Sequence, residues 1–142
     1  MKGRENQSRE TARETVRPTA KPTDAELAIL RVIWRRGPST VRQVHEVLSQ
    51  DREIGYTTVL KLMQIMTEKG LVERDESERT HVYQAMLTQE ETQQQLVGDL
   101  LDKAFGGSAS DLVMQALSAK PASADELARI RELLDELEGG GK

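Results

Sequence analysis

Gly55-Tyr56-Thr57-Thr58-Val59-Leu60-Lys61-Leu62-Met63-Gln64-Ile65-Met66-Thr67-Glu68-Lys69-Gly70 separates into two faces when successive residues are turned by about 100°. Val59, Leu62, Met63 and Met66 fall on one side, and Thr57, Lys61, Gln64 and Glu68 on the other. The spacing predicts a helix from about Tyr56 to Lys69, stopped at Gly70, the residue type that most easily takes the left-handed conformation after a last helical turn. The apolar face asks for a core. The opposite face is polar, and its N-terminal end carries short side chains.

Downstream of Gly70 the period changes from 3.6 to two. Leu71-Val72-Glu73-Arg74 and Thr80-His81-Val82-Tyr83-Gln84-Ala85 flank the polar link Asp75-Glu76-Ser77-Glu78-Arg79, which predicts a β-hairpin. Upstream, Thr23-Asp24-Ala25-Glu26 is a capping box that opens a first helix with Leu27, Leu30 and Trp34 on a stripe widened by Ile29 and Ile33. Gly37-Pro38 ends that helix, and Ser39 stands as the N-cap of a second one carrying Val41, Val44 and Leu48. Three short helices followed by a hairpin make a winged helix-turn-helix over residues 23–86.

The rest of the chain returns to helical spacing. Thr88-Gln89-Glu90-Glu91 opens a helix bearing Leu96, Val97, Leu100, Leu101 and Ala104, broken by Gly106-Gly107. Residues 108–118 suit a short helix using Leu112, Val113, Ala116 and Leu117. Ser123-Ala124-Asp125-Glu126 opens the last, with Leu127, Ile130, Leu133, Leu134 and Leu137 before Gly139-Gly140-Gly141. Three helices of this size cannot cover their own apolar stripes, so residues 87–142 are expected to close against a second copy through Leu96, Leu100, Leu112, Leu127, Ile130, Leu134 and Leu137. The expected fold is thus mostly α with a small β-hairpin wing: an N-terminal winged helix-turn-helix plus a C-terminal helical dimerisation domain. Residues 1–22 hold too little apolar surface to order themselves and predict a disordered basic tail, either a plain solvated extension or an arm that touches phosphates.

The chain has 142 residues, a net charge of −4 and no cysteine, which removes disulfides, thiolate metal sites and cysteine nucleophiles. The charge is unevenly spread: residues 1–22 carry +3, residues 23–86 carry −1 and residues 87–142 carry −6. No apolar run spans a membrane and the N-terminus has no signal-peptide pattern, so a cytoplasmic location is expected. His45 and His81 fall in separate elements, and no nucleophile motif, phosphate loop or metal-ligand spacing occurs, so neither enzyme chemistry nor a cofactor or metal is expected.

The helix at Tyr56–Lys69 also suits an ordinary amphipathic helix with a solvated face; the order of elements around it favours DNA. A helix fits the major groove, and residues near its N-terminus reach base edges. Thr57 and Thr58 offer hydroxyl and methyl groups, Lys61 suits guanine acceptors or phosphate, and Gln64 can pair with adenine. Tyr56 stands at the same end. Ser39 and Thr40 would present free amides to a phosphate with Arg42 one turn on, and Arg79 is the wing residue able to grip a backbone. Acidic neighbours surround Arg79, so a second reading stays open: a winged helix serving as a protein-interaction module.

Thr23-Asp24-Ala25-Glu26-Leu27-Ala28-Ile29-Leu30 with Trp34, Gly37-Pro38-Ser39-Thr40-Val41-Arg42, Gly55-Tyr56-Thr57-Thr58-Val59, Lys69-Gly70-Leu71-Val72 and His81-Val82-Tyr83 together resemble the penicillinase-repressor (BlaI/MecI/CopY) family over about residues 22–138. The resemblance implies a homodimeric transcriptional repressor of palindromic double-stranded operator DNA, able to govern β-lactam-response genes. It also implies release by cleavage of the C-terminal domain, in a pathway started by a membrane sensor-protease. Well-known members are cut at an Asn-Phe bond after a Leu-Val-Leu-like run. Leu112-Val113-Met114-Gln115-Ala116 stands in the similar place, making the bond Gln115–Ala116, with neither Asn nor Phe. Copper-responsive members use a Cys cluster, which this chain lacks.

Overall fold

A computed structural model describes residues 21–140. The chain divides into two compact units, the first ending at Leu96 and the second starting at Val97. The expected tail lies almost wholly outside the described residues.

In the first unit, α1 (Asp24–Arg36) starts at a complete capping box: the Glu26 amide donates to Thr23 Oγ1 at 3.2 Å and the Thr23 amide to Glu26 Oε1 at 2.9 Å. Its buried side chains include Ile29, Leu30 and Ile33 as expected, together with Ala28 and Val32. Leu27 and Trp34 only flank the core. Trp34 stays at the edge because its indole N–H needs an acceptor, which it finds in the Leu87 carbonyl at 3.0 Å.

Helix α2 (Val41–Leu48) buries Val41, Val44 and Leu48 at the expected spacing. Helix α3 (Tyr56–Lys69) buries Val59, Met63 and Met66 completely, with Leu62 packed at the margin. Its end is a Schellman motif: Gly70 adopts φ 80°, its amide reaches the Thr67 carbonyl, and the Leu71 amide reaches that of Met66 at 2.9 Å. Leu71 is thereby turned into the core.

Strands β1 (Val72–Asp75) and β2 (Val82–Ala85) pair antiparallel in the register Val72↔Ala85, Glu73↔Gln84, Arg74↔Tyr83 and Asp75↔Val82. Period-two alternation gives one face Val72, Arg74, Tyr83 and Ala85, of which Val72 and Tyr83 complete the core. Glu73, Asp75 and Gln84 on the other face are exposed. This is the wing of a winged helix-turn-helix.

Helix α4 (Gln89–Ala104) begins at the Thr88–Glu91 box and carries the boundary between the units. In the second unit, Gly106 and Gly107 both take positive φ, 56° and 86°, and end α4 as expected. Ser108 caps α5 (Ala109–Ala119), and the Ser123–Glu126 box opens α6 (Ala124–Gly140). Helix α6 continues through Gly139 to Gly140, beyond the glycine stop expected from the sequence. None of the described residues from 97 to 139 is buried.

Candidate nucleic-acid interface

The core side of α3 fixes what its other side can do. With Val59, Met63 and Met66 fully covered, Thr57, Lys61, Gln64 and Glu68 form one exposed stripe, joined at the N-terminal end by Thr58 and Tyr56. No side chain caps α3; its N-cap is Gly55. The first-turn amides are thus left facing the end of the helix, where unsatisfied N–H groups and the helix dipole favour an anion. Lys61 makes no ion pair among the described residues.

Two contacts hold this helix at its ends. At its start, His45 Nε2 lies 2.9 Å from the Ile54 carbonyl, and its ring meets Tyr56 edge-on at a centroid distance of 5.8 Å. A carbonyl only accepts, so Nε2 carries the proton in this contact. Ser49 Oγ shares the same nitrogen at 3.1 Å. The histidine therefore joins α2 to the connection that sets where α3 begins. At the far end, Lys69 Nζ reaches both carboxylate oxygens of Glu26, at 2.8 and 3.1 Å, and Glu26 is 2% exposed. The sequence reading missed both contacts because each joins elements that pair only once packed.

The start of α2 requires a correction. Ser39 is not the cap: it is fully buried, exchanging main-chain hydrogen bonds with Tyr83 at 2.9 and 2.8 Å, while its hydroxyl donates to the Gly37 carbonyl. With its amide consumed by the hairpin, Ser39 has no N–H for a phosphate. Thr40 is the cap, in a box with Gln43 whose two bonds measure 3.1 and 2.9 Å. The signal was legible: Thr40-x-x-Gln43 has the capping-box spacing, whereas Ser39 is followed three residues later by Arg42. Thr40 is half-buried, and Arg42 projects outward with only a loose 3.9 Å approach to Glu46.

In the wing, Arg79 is exposed and pairs with no carboxylate among the described residues. Two of its acidic neighbours are otherwise engaged. Glu76 takes Arg74 at 2.7 Å, and the Tyr83 side chain and then Glu76 raise the Arg74 guanidinium further above its ordinary pKa. Asp75 accepts the Ser77 amide at 2.9 Å, and bonds from that amide and from the Ser77 side chain hold its carboxyl below the usual range. Glu73 and Glu78 remain exposed.

Of the residues expected at a dimer contact, Leu100, Leu134 and Leu137 are exposed, and Leu96, Leu112, Leu127 and Ile130 are half-buried. Val97, Val113, Met114 and Leu133 add exposed apolar surface. Gln115 and Ala116 are exposed inside α5, so cutting between them requires that turn to unwind. Among the described residues no group of three His, Asp or Glu side chains is arranged to hold a metal ion, and no helix is long and apolar enough to cross a membrane.

Residues 22–136 match the family model of the penicillinase repressor. The transcriptional regulator BlaI of Mycobacterium tuberculosis is 35% identical over 118 residues, covering 82% of this chain and 85% of its own. A penicillinase repressor of Staphylococcus aureus is 19% identical, covering 80% of this chain and 90% of its own. The methicillin resistance regulatory protein MecI of the same species is 18% identical, covering 80% and 92%. Among solved structures, a transcriptional regulator of Thermotoga maritima aligns over 98% of this chain and 94% of its own, with 19% identity and a TM-score of 0.48. With four-fifths of the chain matched by one family model and a relative at 35% identity spanning the same region, this protein belongs to the penicillinase-repressor family of transcriptional regulators.

Proposed function

We propose that the protein is a repressor that binds a palindromic operator as a homodimer, one α3 entering the major groove of each half-site. The observation that carries this reading is the α3 stripe, exposed while the helix is anchored by three fully buried side chains. Thr57, Thr58 and Lys61 read base edges, with Gln64 deeper along the helix and Tyr56 at its mouth. Arg42 and Arg79 position the backbone, joined by the Thr40 hydroxyl, which can still donate although the Thr40 amide is held by Gln43; Ser39 drops out of that set. The lack of buried residues among the described residues of the second unit supports closure against a second copy through Leu96, Leu100, Leu112, Leu127, Ile130, Leu134 and Leu137.

The names of the relatives, a penicillinase repressor and a methicillin resistance regulatory protein, support control of a β-lactam response. A cytoplasmic location, where the operator lies, and a membrane sensor-protease upstream belong to the same proposal. Release by cutting at Gln115–Ala116 rests on position alone. Residues 23–86 carry a net charge of −1, so one copy has little electrostatic attraction to DNA and binding depends on two acting together.

Anisotropy titration of DNA from upstream of the gene, at several salt concentrations, tests the reading. Saturable binding that exceeds binding to scrambled DNA and falls steeply with salt is expected. Binding no better than to scrambled DNA would overturn it and favour a protein-interaction module, the reading that the exposed Glu73 and Glu78 of the wing support.

A further inference from the structure

A cavity of about 270 Å³ lies between α1 and the end of α2, rimmed by Arg31, Arg35, Arg36 and Arg52 with a single acid, Asp51. Its floor is apolar, built from Ala28, Val32 and Leu48, all part of the core. None of the four guanidinium groups pairs with a carboxylate among the described residues. Arg31 and Arg35 stand at i, i+4 on one helix face, where like charges repel. Arg35 and Arg36 gain from the C-terminal end of the α1 dipole, but that does not account for Arg31 or for Arg52 beyond α2. A chain with 24 acidic residues thus gathers four arginines around one concavity and supplies a single acid.

We infer that this groove is a binding site for a small organic anion, with an apolar body on the floor and two carboxylates held by the rim. Arginine suits the charged ends because its planar fork engages carboxylates bidentately. The floor argues against a bare inorganic ion, which would leave Val32 and Leu48 uncovered. The volume sets the size: with one water occupying about 30 Å³ of liquid, the space suits a body of roughly ten non-hydrogen atoms. No residue of the α3 stripe lines the groove, so the inference goes beyond the operator-binding reading.

Isophthalate serves as the probe, with inorganic phosphate supplying charge without a body and benzyl alcohol a body without charge. Calorimetric titration of the full chain without DNA should give saturable 1:1 binding of isophthalate, at least tenfold tighter than either comparator. Methyl NMR shifts should concentrate at Val32 and Leu48, which locates the site even if a variant folds poorly. Arg35→Gln with Arg52→Gln should weaken isophthalate binding at least tenfold. Absence of saturation at millimolar isophthalate, shifts centred elsewhere, undiminished binding by the double variant, or equal binding of phosphate would each overturn the proposal. So would a double variant that loses DNA affinity while the parent ignores isophthalate, since the arginines would then be backbone contacts. Because binding is read without DNA, its failure is distinct from failure of the operator reading.

Discussion

Lys61 supplies the positive charge of a stripe otherwise made of Thr57, Gln64 and Glu68, and its neighbours Val59 and Met63 are locked in the core. Replacing it with alanine should leave the helix intact and weaken operator binding by about 1–3 kcal/mol, the range of a good base contact. Anisotropy on the same DNA checks this, and unchanged affinity would remove Lys61 from the base-reading set. His45 acts one step back. His45→Ala removes the bond to the Ile54 carbonyl and the edge contact with Tyr56, so urea denaturation should show a loss of about 1–2 kcal/mol. Operator affinity should fall as well, because the start of α3 is no longer held. Ser39→Ala should behave differently, costing about 1 kcal/mol of stability with no loss of affinity in the folded protein. Lys61 was legible from helical periodicity, which is local. The partners of His45 and Ser39 were not, because Ile54 and Tyr83 reach them only through the packing of α2 and the hairpin.

At the scale of elements, α3 is held at its end as firmly as at its start. Glu26 is buried and Lys69 about one-third exposed, so Lys69→Met leaves a carboxylate with its cap bond but no counter-charge. Losing one partner of a fully buried pair costs several kcal/mol; the partial exposure of Lys69 brings the expected loss to about 2 kcal/mol, measurable by denaturant titration. The Thr23–Glu26 box was readable because it spans three residues, while the second role of Glu26 required α1 and α3 to meet. The wing responds to acid in a definite direction. Asp75 has its folded pKa lowered by Ser77, so its contribution to the hairpin is present above the ordinary carboxylate range and is lost as pH falls through the lowered value. Carboxyl-carbon NMR should show Asp75 titrating below the ordinary range of an aspartate. A value at or above that range would mean that the Asp75–Ser77 turn does not persist in solution.

For the whole molecule, the second unit exposes Leu134 and Leu137, the latter to 67%, and none of its described residues is buried. An apolar surface of this kind is expected to be covered. Leu134→Asp should convert a dimer into a monomer by light scattering, and operator affinity should fall with it because each copy is electrostatically poor. A dimer mass retained by both Leu134→Asp and Leu100→Asp would put the interface elsewhere.

By itself the sequence determined the elements: three helices, a hairpin and three more helices, with the ends set by capping boxes at Thr23, Thr88 and Ser123 and by Gly70 and Gly106-Gly107. Those signals act within one or two turns, so burial and pairing between distant segments do not alter them. Tertiary structure decided which side chains remain available. It drew Ser39 into the hairpin, tied His45 to Ile54, gave Lys69 to Glu26, and gathered four arginines around one groove. The physical reason is that a polar group is claimed by whichever partner packing brings within about 3 Å, and no local pattern encodes that distance.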